Sequence, residues 1–152
     1  MIRPATRKDI WAIRRLVFGA KLDPTQLRVE QFWVIKNGGK IIACGQLRNF
    51  ADAQELGSLV VAKTWRGQGL GTKLTQHLIA QATKPLYLEC LGTSLAQFYH
   101  HLGFVEIAPE EVPRSLRFKF GLSRLGKILF RLPVMQMRHC KTQITSRGTN
   151  AK

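Results

Sequence analysis

The sequence is poor in cysteine and contains no long apolar run. Its three cysteines, Cys44, Cys90 and Cys140, include no CxxC pair, so the sequence shows neither a disulfide framework nor a zinc motif. Its four histidines lack the spacing of a ligand set as well, and we predict no metal site. No apolar segment approaches the roughly eighteen residues of a membrane-spanning helix.

Acidic side chains are also scarce. The sequence contains nine Asp and Glu and 24 Lys and Arg, which gives a formal net charge of +15. Such a charge attracts polyanions such as nucleic acid, anionic lipid and phosphorylated cofactors. The apolar fraction of 45% in 152 residues is typical of a folded chain, and we predict one domain over residues 1–152. The opening residues, MIRPATRKDI, contain no signal-peptide pattern, so we predict a cytoplasmic protein.

Hydrophobic periodicity predicts strands and helices that alternate along most of the chain. We expect a hairpin turn at Asn37–Gly39 and a second helix beginning at Asp23–Pro24. The order predicts a mixed α/β domain in which early antiparallel strands precede a βαβ unit with parallel strands. The predicted strands are 2–4, 32–36, 40–48, 55–61, 86–90 and 104–108, and the predicted helices are 10–18, 69–83 and 94–102.

The segment from Pro109 onward is basic and differs in character. Residues 109–132 form a predicted helical insertion whose regular part, 116–132, carries one apolar stripe, with basic residues on the opposite face. A last strand is expected at 133–138 and a frayed tail at 141–152. The stripe residues are Phe118, Leu122, Leu125, Leu129 and Leu132, and the opposing basic residues are Arg117, Arg124, Lys127 and Arg131.

The most informative motif follows the strand at 55–61. Arg66–Gly71 reads RGQGLG and opens the helix at 69–83, a strand–turn–helix arrangement that presents unpaired N–H groups to a phosphate. A P-loop requires Gly-Lys-Ser/Thr at its end, and the order Gly71-Thr72-Lys73 excludes it. The glycine spacing and the long loop before Arg66 also disfavour a dinucleotide-binding fingerprint.

The segment resembles the cofactor signature of the Gcn5-related N-acetyltransferase (GNAT) family, Arg/Gln-x-x-Gly-x-Gly/Ala. Downstream, FYHHLGF at 98–104 looks like the second signature of the family. The resemblance covers residues 2–108 in element order and implies a central twisted sheet of about six to seven strands flanked by helices. It also implies an enzyme that moves an acetyl group directly from acetyl-CoA to an amine.

The resemblance also implies roles for individual residues. Tyr99 matches the family tyrosine that can protonate the departing thiolate, and Glu55 stands where many members place the carboxylate base, with Glu89 as an alternative. The strand backbone would pair with the pantetheine arm, and the loop N–H groups would hold the pyrophosphate. The strand residues are Leu59, Val60 and Val61, and the loop residues are Arg66, Gly67, Gln68, Gly69, Leu70, Gly71 and Thr72.

The chain departs from the family pattern at one position. Many family members carry a pantetheine-binding asparagine where this chain has Gly92. The acceptor, a small-molecule or protein amine, is not specified, and the 109–132 insertion is expected to wall its site. The alternative function is a non-catalytic adaptor of the same fold, which would bind nucleic acid, an anionic surface or a protein partner through its charge.

Overall fold

A computed structural model describes residues 1–128 and 133–140 of the chain. Seven strands form a sheet in the order β1-β2-β3-β4-β5-β7-β6, and helices flank it, which confirms the predicted fold class. The strands are β1 Ile2–Pro4, β2 Phe32–Asn37, β3 Lys40–Asn49, β4 Gln54–Val61, β5 Leu86–Leu91, β6 Phe104–Glu106 and β7 Val134–His139. The helices are α1 Ile10–Gly19, α2 Leu70–Gln81, α3 Thr93–His101 and α4 Arg114–Ile128.

The strand pairing follows the predicted plan. β1, β2 and β3 pair antiparallel, and the β2–β3 turn places Gly38 and Gly39 at φ of +52° and +81°, a backbone that favours glycine at both positions. β4 and β5, which flank α2, pair in parallel. The antiparallel strand β7 lies between β5 and β6, so the last strand within the described residues is internal to the sheet.

The described residues form two compact units, the first made of Met1–Arg48 and Leu56–Gln81. Its core joins the inner face of α1 to the sheet, and Leu74 and Leu78 of α2 are fully buried. A side chain at Gly45 would come within 2.8 Å of Leu78, so glycine lets α2 approach β3 closely. The residues of the α1 cluster are Ile13, Val17, Phe32, Val34, Cys44 and Val60.

The second unit contains Asn49–Glu55 and the chain from Ala82 onward. Its core includes Leu116 and Phe120 of α4, which pack with Tyr87, Ile107 and Val112. The first half of α4 is therefore core structure.

Of the predicted apolar stripe of this helix, the structure describes the side chain of Phe118 alone, and that residue does not lie on the buried face. Phe118, predicted to be buried, is 77% exposed, whereas Leu116 and Phe120 on the opposite face are buried. The helix also begins two residues earlier than expected, at Arg114. The side chains of Leu122, Arg124, Leu125 and Lys127, and residues Leu129, Arg131 and Leu132, lie outside the described part of the chain, as does the predicted frayed tail at 141–152.

The predicted helix at Asp23–Pro24 is absent from the described structure, where residues 22–28 are irregular. Asp23 instead accepts hydrogen bonds from the backbone N and the hydroxyl of Thr25. An Asp side chain that binds the backbone two residues later favours a turn over a helix start.

Candidate functional site

The glycine-rich loop lies between the end of β4 and the start of α2, as predicted. Gly67 and Gly69 have φ of +76° and +77°, a left-handed backbone that side chains rarely adopt. No atom lies within 4 Å of a Cβ built at either glycine, so the outer surface of the loop is open. The first helical N–H groups, those of Leu70, Gly71 and Thr72, have no carbonyl one turn earlier to bind.

The side chain of Arg66 anchors this loop to the strand before it. Its Nε donates a 3.0 Å hydrogen bond to the carbonyl of Val61, the last residue of β4. The loop is thereby held at both ends, since the amide of Lys73 in α2 donates to the carbonyl of Gly69. A fixed loop with outward N–H groups and no acidic side chain in its first helical turn suits an anion.

Strand β4 is irregular just before the predicted pantetheine-binding residues. Ser58 has φ of +50°, unusual for a residue with a side chain. At Gly57 a Cβ would lie 2.4 Å from Nη1 of Arg48, so a side chain there would displace the guanidinium from its place. Nη2 of Arg48 donates to the hydroxyl of Ser58 at 3.1 Å, and this buried guanidinium therefore packs against the irregular turn of the strand.

A buried amide extends these contacts, and sequence reasoning missed it. Gln46 is fully buried, and its Nε2 donates to the carbonyl of Gln26 at 2.7 Å and to Oε1 of Gln31 at 3.0 Å. Its Oε1 accepts from Ser58 at 3.4 Å. Because a buried amide must satisfy its hydrogen bonds, Gln46 fixes the irregular segment before β2 relative to β4.

Tyr99, the predicted acid, lies on α3 in the second unit. It is buried and packs edge-on against Phe98 and Phe104, with ring centroids 5.1 Å and 5.6 Å away. Burial raises the pKa of Tyr99 above its usual value, with the nearby Cys90 as a smaller cause. The phenol is therefore protonated at neutral pH and retains a proton to donate.

Glu55, the predicted base, is the second residue of β4 and also belongs to the second unit. It is buried and forms an ion pair with Lys119 of α4. Sequence reasoning missed Lys119, since nothing in the spacing of the basic residues distinguishes it from its neighbours. The alternative base, Glu89, lies half-buried on β5, opposite Gln136 of β7.

Gly92 stands where many family members have asparagine, and the backbone explains the glycine. Its φ and ψ are +84° and +155°, a region that is essentially restricted to glycine. Gly92, rather than Thr93 or Ser94, precedes the first helical residue, and its carbonyl accepts from the amide of Ala96 at 3.2 Å. Asparagine does not favour this backbone conformation, which accounts for the glycine at this position.

Other reactive side chains do not form a second centre within residues 1–128 and 133–140. No group of three or more His, Cys, Asp and Glu there could hold a metal. Burial raises the pKa of the Cys44 thiol to about 12, which disfavours a thiolate nucleophile. No helix in the described ranges is long and apolar enough to cross a membrane.

Comparison with known sequences identifies the domain type. A family model described as "Acetyltransferase (GNAT) domain" matches residues 28–106, which include the loop and Tyr99. An amino-acid acetyltransferase of Pseudomonas fluorescens (strain Pf0-1) is 33% identical over 106 residues, covering 66% of this chain and 24% of the relative. Another, of Pseudomonas putida, is 27% identical over 141 residues, covering 84% of this chain and 33% of the relative.

Comparison with solved structures gives the same fold. Rv2747 of Mycobacterium tuberculosis, in complex with CoA and NLQ, matches with a TM-score of 0.73 at 22% sequence identity. The match covers 91% of this chain and 98% of the Rv2747 chain. N-acetylglutamate synthase of Neisseria gonorrhoeae, with coenzyme A and N-acetyl-glutamate, matches with a TM-score of 0.72 at 22% sequence identity. The match covers 91% of this chain and 34% of the synthase chain. The chain spans between about a quarter and a third of the length of the curated relatives it matches.

Proposed function

The chain belongs to the GNAT acetyltransferase family, and on this premise we propose that it transfers an acetyl group from acetyl-CoA to the amine of a small molecule. The observation that carries the proposal is the open loop at Arg66–Gly71, with two left-handed glycines at the start of α2. Pyrophosphate is the part of acetyl-CoA that such a helix N-terminus binds.

In this proposal the cofactor is held mainly by backbone. The N–H groups of Arg66–Thr72 bind the pyrophosphate, and the backbone of Leu59–Val61 pairs with the pantetheine arm. The irregular turn at Gly57–Ser58, which contacts Arg48, supports this assignment because the left-handed φ of Ser58 departs from regular strand geometry just before Leu59. Backbone groups fixed before binding lose little entropy when the cofactor arrives.

The proposed chemistry is direct transfer. The acceptor nitrogen attacks the thioester carbonyl carbon, a C–N bond forms, and the C–S bond breaks. Tyr99 protonates the departing thiolate, and Glu55, directly or through water, takes the proton that the amine loses. Glu89 is the alternative base. Support comes from the protonated state of Tyr99 and from the position of Glu55 on β4.

For the acceptor we propose a small-molecule amine, since the matched relatives are named amino-acid acetyltransferases. We also propose a cytoplasmic location, supported by three cysteines that all lie in the described residues and keep their thiols.

The alternative, a non-catalytic adaptor, is favoured by the charge of +15. The adaptor would bind acetyl-CoA without consuming it.

The test is calorimetric titration of the full chain with acetyl-CoA, for wild type and for Gly69→Glu. The variant places a carboxylate in the pyrophosphate site, and we expect it to abolish binding. Gly38→Glu is the matched control, because Gly38 also has a left-handed φ and open space around it and lies on the β2–β3 turn. Folded wild-type protein that fails to bind acetyl-CoA, or equal loss in both variants, would contradict the proposal.

Turnover then separates the enzyme from the adaptor. Thiol release from acetyl-CoA is followed with a panel of amines that includes amino acids. Binding followed by release supports the transferase, whereas binding without release for any amine supports the adaptor.

A further inference from the structure

Helix α1 has an outer face that the proposed acetyl transfer does not use. Ile13 and Val17 on its inner face are fully buried in the first unit. Trp11 and Phe18, by contrast, are 73% and 75% exposed. Because they are seven residues apart, two helical turns, they lie in one row along the outer face. Leu22, just beyond the helix, is also exposed.

The charges around this row are mostly positive, and the nearest exposed acidic residue along the chain is Asp23, whose carboxylate accepts hydrogen bonds from Thr25. Asp9 is the only acidic residue in the first 22, and it is buried and paired with Arg3 at 2.8 Å. It therefore offsets Arg3, and within residues 1–23 Asp23 is the one exposed acidic residue beside five exposed cations. Those exposed cations are Arg7, Lys8, Arg14, Arg15 and Lys21.

Two of these cations lie within the aromatic row itself. Trp11, Arg14, Arg15 and Phe18 line one shallow depression with Pro24, and we name these four side chains the α1 outer face. The guanidinium carbon of Arg14 lies 5.1 Å from the centroid of the Trp11 ring, a cation–π arrangement. Apolar rings and cations are thus interleaved, a pattern that a solvated helix face does not require.

We propose that the α1 outer face docks onto an anionic lipid bilayer. Tryptophan and phenylalanine enter the boundary between headgroups and acyl chains, while arginine and lysine contact the lipid phosphates. The excess of exposed cations in this segment is complementary to such a surface. A single helix face of this size supports reversible, salt-sensitive binding, since two shallow aromatic anchors do not commit the protein to the membrane.

Single-stranded nucleic acid is the competing polyanion, and the geometry favours it less. Nucleic-acid stacking uses the open faces of aromatic rings, whereas Arg14 already lies over the indole of Trp11. At a bilayer the stacked arginine keeps its place, because headgroup phosphates bind its outer N–H groups. Phe18 and Leu22 supply apolar surface that lipid accepts.

The test is co-sedimentation of the full chain with phosphatidylcholine vesicles, with and without phosphatidylserine, at low and physiological salt. We expect binding only with phosphatidylserine, weakening as salt rises. Arg14→Gln/Arg15→Gln should lower the partition coefficient roughly 30-fold, and Trp11→Ala/Phe18→Ala about tenfold or more. Wild-type tryptophan fluorescence should shift to the blue with these vesicles, and Trp11→Phe should lose that shift.

Matched controls keep the outcome specific to this face. Lys36→Gln/Lys40→Gln removes two exposed charges from the β2–β3 hairpin, and Phe118→Ala removes an equally exposed ring from α4. Both controls should bind within about twofold of wild type. Absence of vesicle binding at low salt, or equal losses in the controls, would overturn the proposal. Loss of RNA binding in the α1 variants, without vesicle binding by wild type, would assign the face to nucleic acid instead.

Discussion

Lys119 of α4 forms an ion pair with Glu55 of β4, and both side chains are largely shielded from solvent. The pair joins a helix that the sequence marks only as a basic insertion to the carboxylate proposed as catalytic base. Within the second unit, the placement of α4 and the environment of Glu55 are therefore linked by one contact between residues 64 positions apart.

Removing one partner of this pair should destabilise the protein. We expect Lys119→Met to lower the free energy of unfolding by about 2 kcal/mol, because it leaves a buried carboxylate without its ammonium. Glu55→Gln/Lys119→Met should recover about half of that loss or more. Denaturant unfolding of the single and double variants measures the coupling. Arg117→Met, which removes bonds to the carbonyls of Val112 and Glu110, should show no coupling to Glu55.

Glu55→Gln tests the proposed base directly. The substitution keeps the size of the side chain and removes the proton acceptor, so we expect kcat to fall roughly 10²- to 10⁴-fold. Acetyl-CoA affinity, measured by calorimetry, should stay the same because backbone groups of the first unit supply the proposed binding contacts. If Glu89→Gln shows the loss in kcat and Glu55→Gln does not, the assignment moves to Glu89.

Tyr99→Phe tests the proposed acid. The ring contacts to Phe98 and Phe104 remain, so the fold should persist while kcat falls roughly 10²-fold. Because burial raises the pKa of Tyr99, the wild-type phenol keeps its proton from neutral pH to at least about pH 10. The ratio of wild-type to variant kcat should therefore be constant over that range. A ratio that collapses towards one below pH 10 would contradict the assignment.

Asp9 should make the first unit sensitive to acid. The hydrogen bonds from Arg3 lower the pKa of Asp9 below its usual value, helped by the backbone and hydroxyl of Thr6 and opposed by desolvation. The stabilisation is thus complete above the unfolded pKa, about 4, and is lost as the pH falls through the lower folded value. Asp9→Asn should destabilise by about 1 kcal/mol at neutral pH. Denaturant unfolding at several pH values should show this difference shrinking in acid.

Gly92 and Gly121 should respond oppositely to alanine. A Cβ added at Gly92 or at Gly121 would have no atom within 4 Å, so both positions have room for a methyl group. Of these two glycines, only Gly92 has a positive φ. We expect Gly92→Ala to destabilise by about 1–3 kcal/mol through backbone strain. Gly121→Ala, inside α4, should stabilise by about 0.5–1 kcal/mol through helix propensity. Thermal unfolding of the two variants provides the comparison.

Sequence patterns correctly predicted the structural features that depend on residues close together in the chain. The turn at Gly38–Gly39, the parallel β4–α2–β5 unit and the glycine loop at Arg66–Gly71 were all predicted correctly. Each depends on residues close together in the sequence, where backbone freedom, side-chain alternation and helix caps act directly. The two signatures that carry the family resemblance are local in the same sense, and the family is confirmed. The roles assigned to Tyr99 and Glu55 stay predictions.

Tertiary structure alone decided which groups meet across the chain. The sequence of α4 contains apolar residues on more than one face, and only packing against Tyr87 and Ile107 selects Leu116 and Phe120 over Phe118. The partner of Glu55 is likewise invisible in the spacing of the basic residues. Periodicity fixes the interval between side chains, whereas the buried face and the ionic partner depend on the surface opposite, which only the folded chain brings into contact.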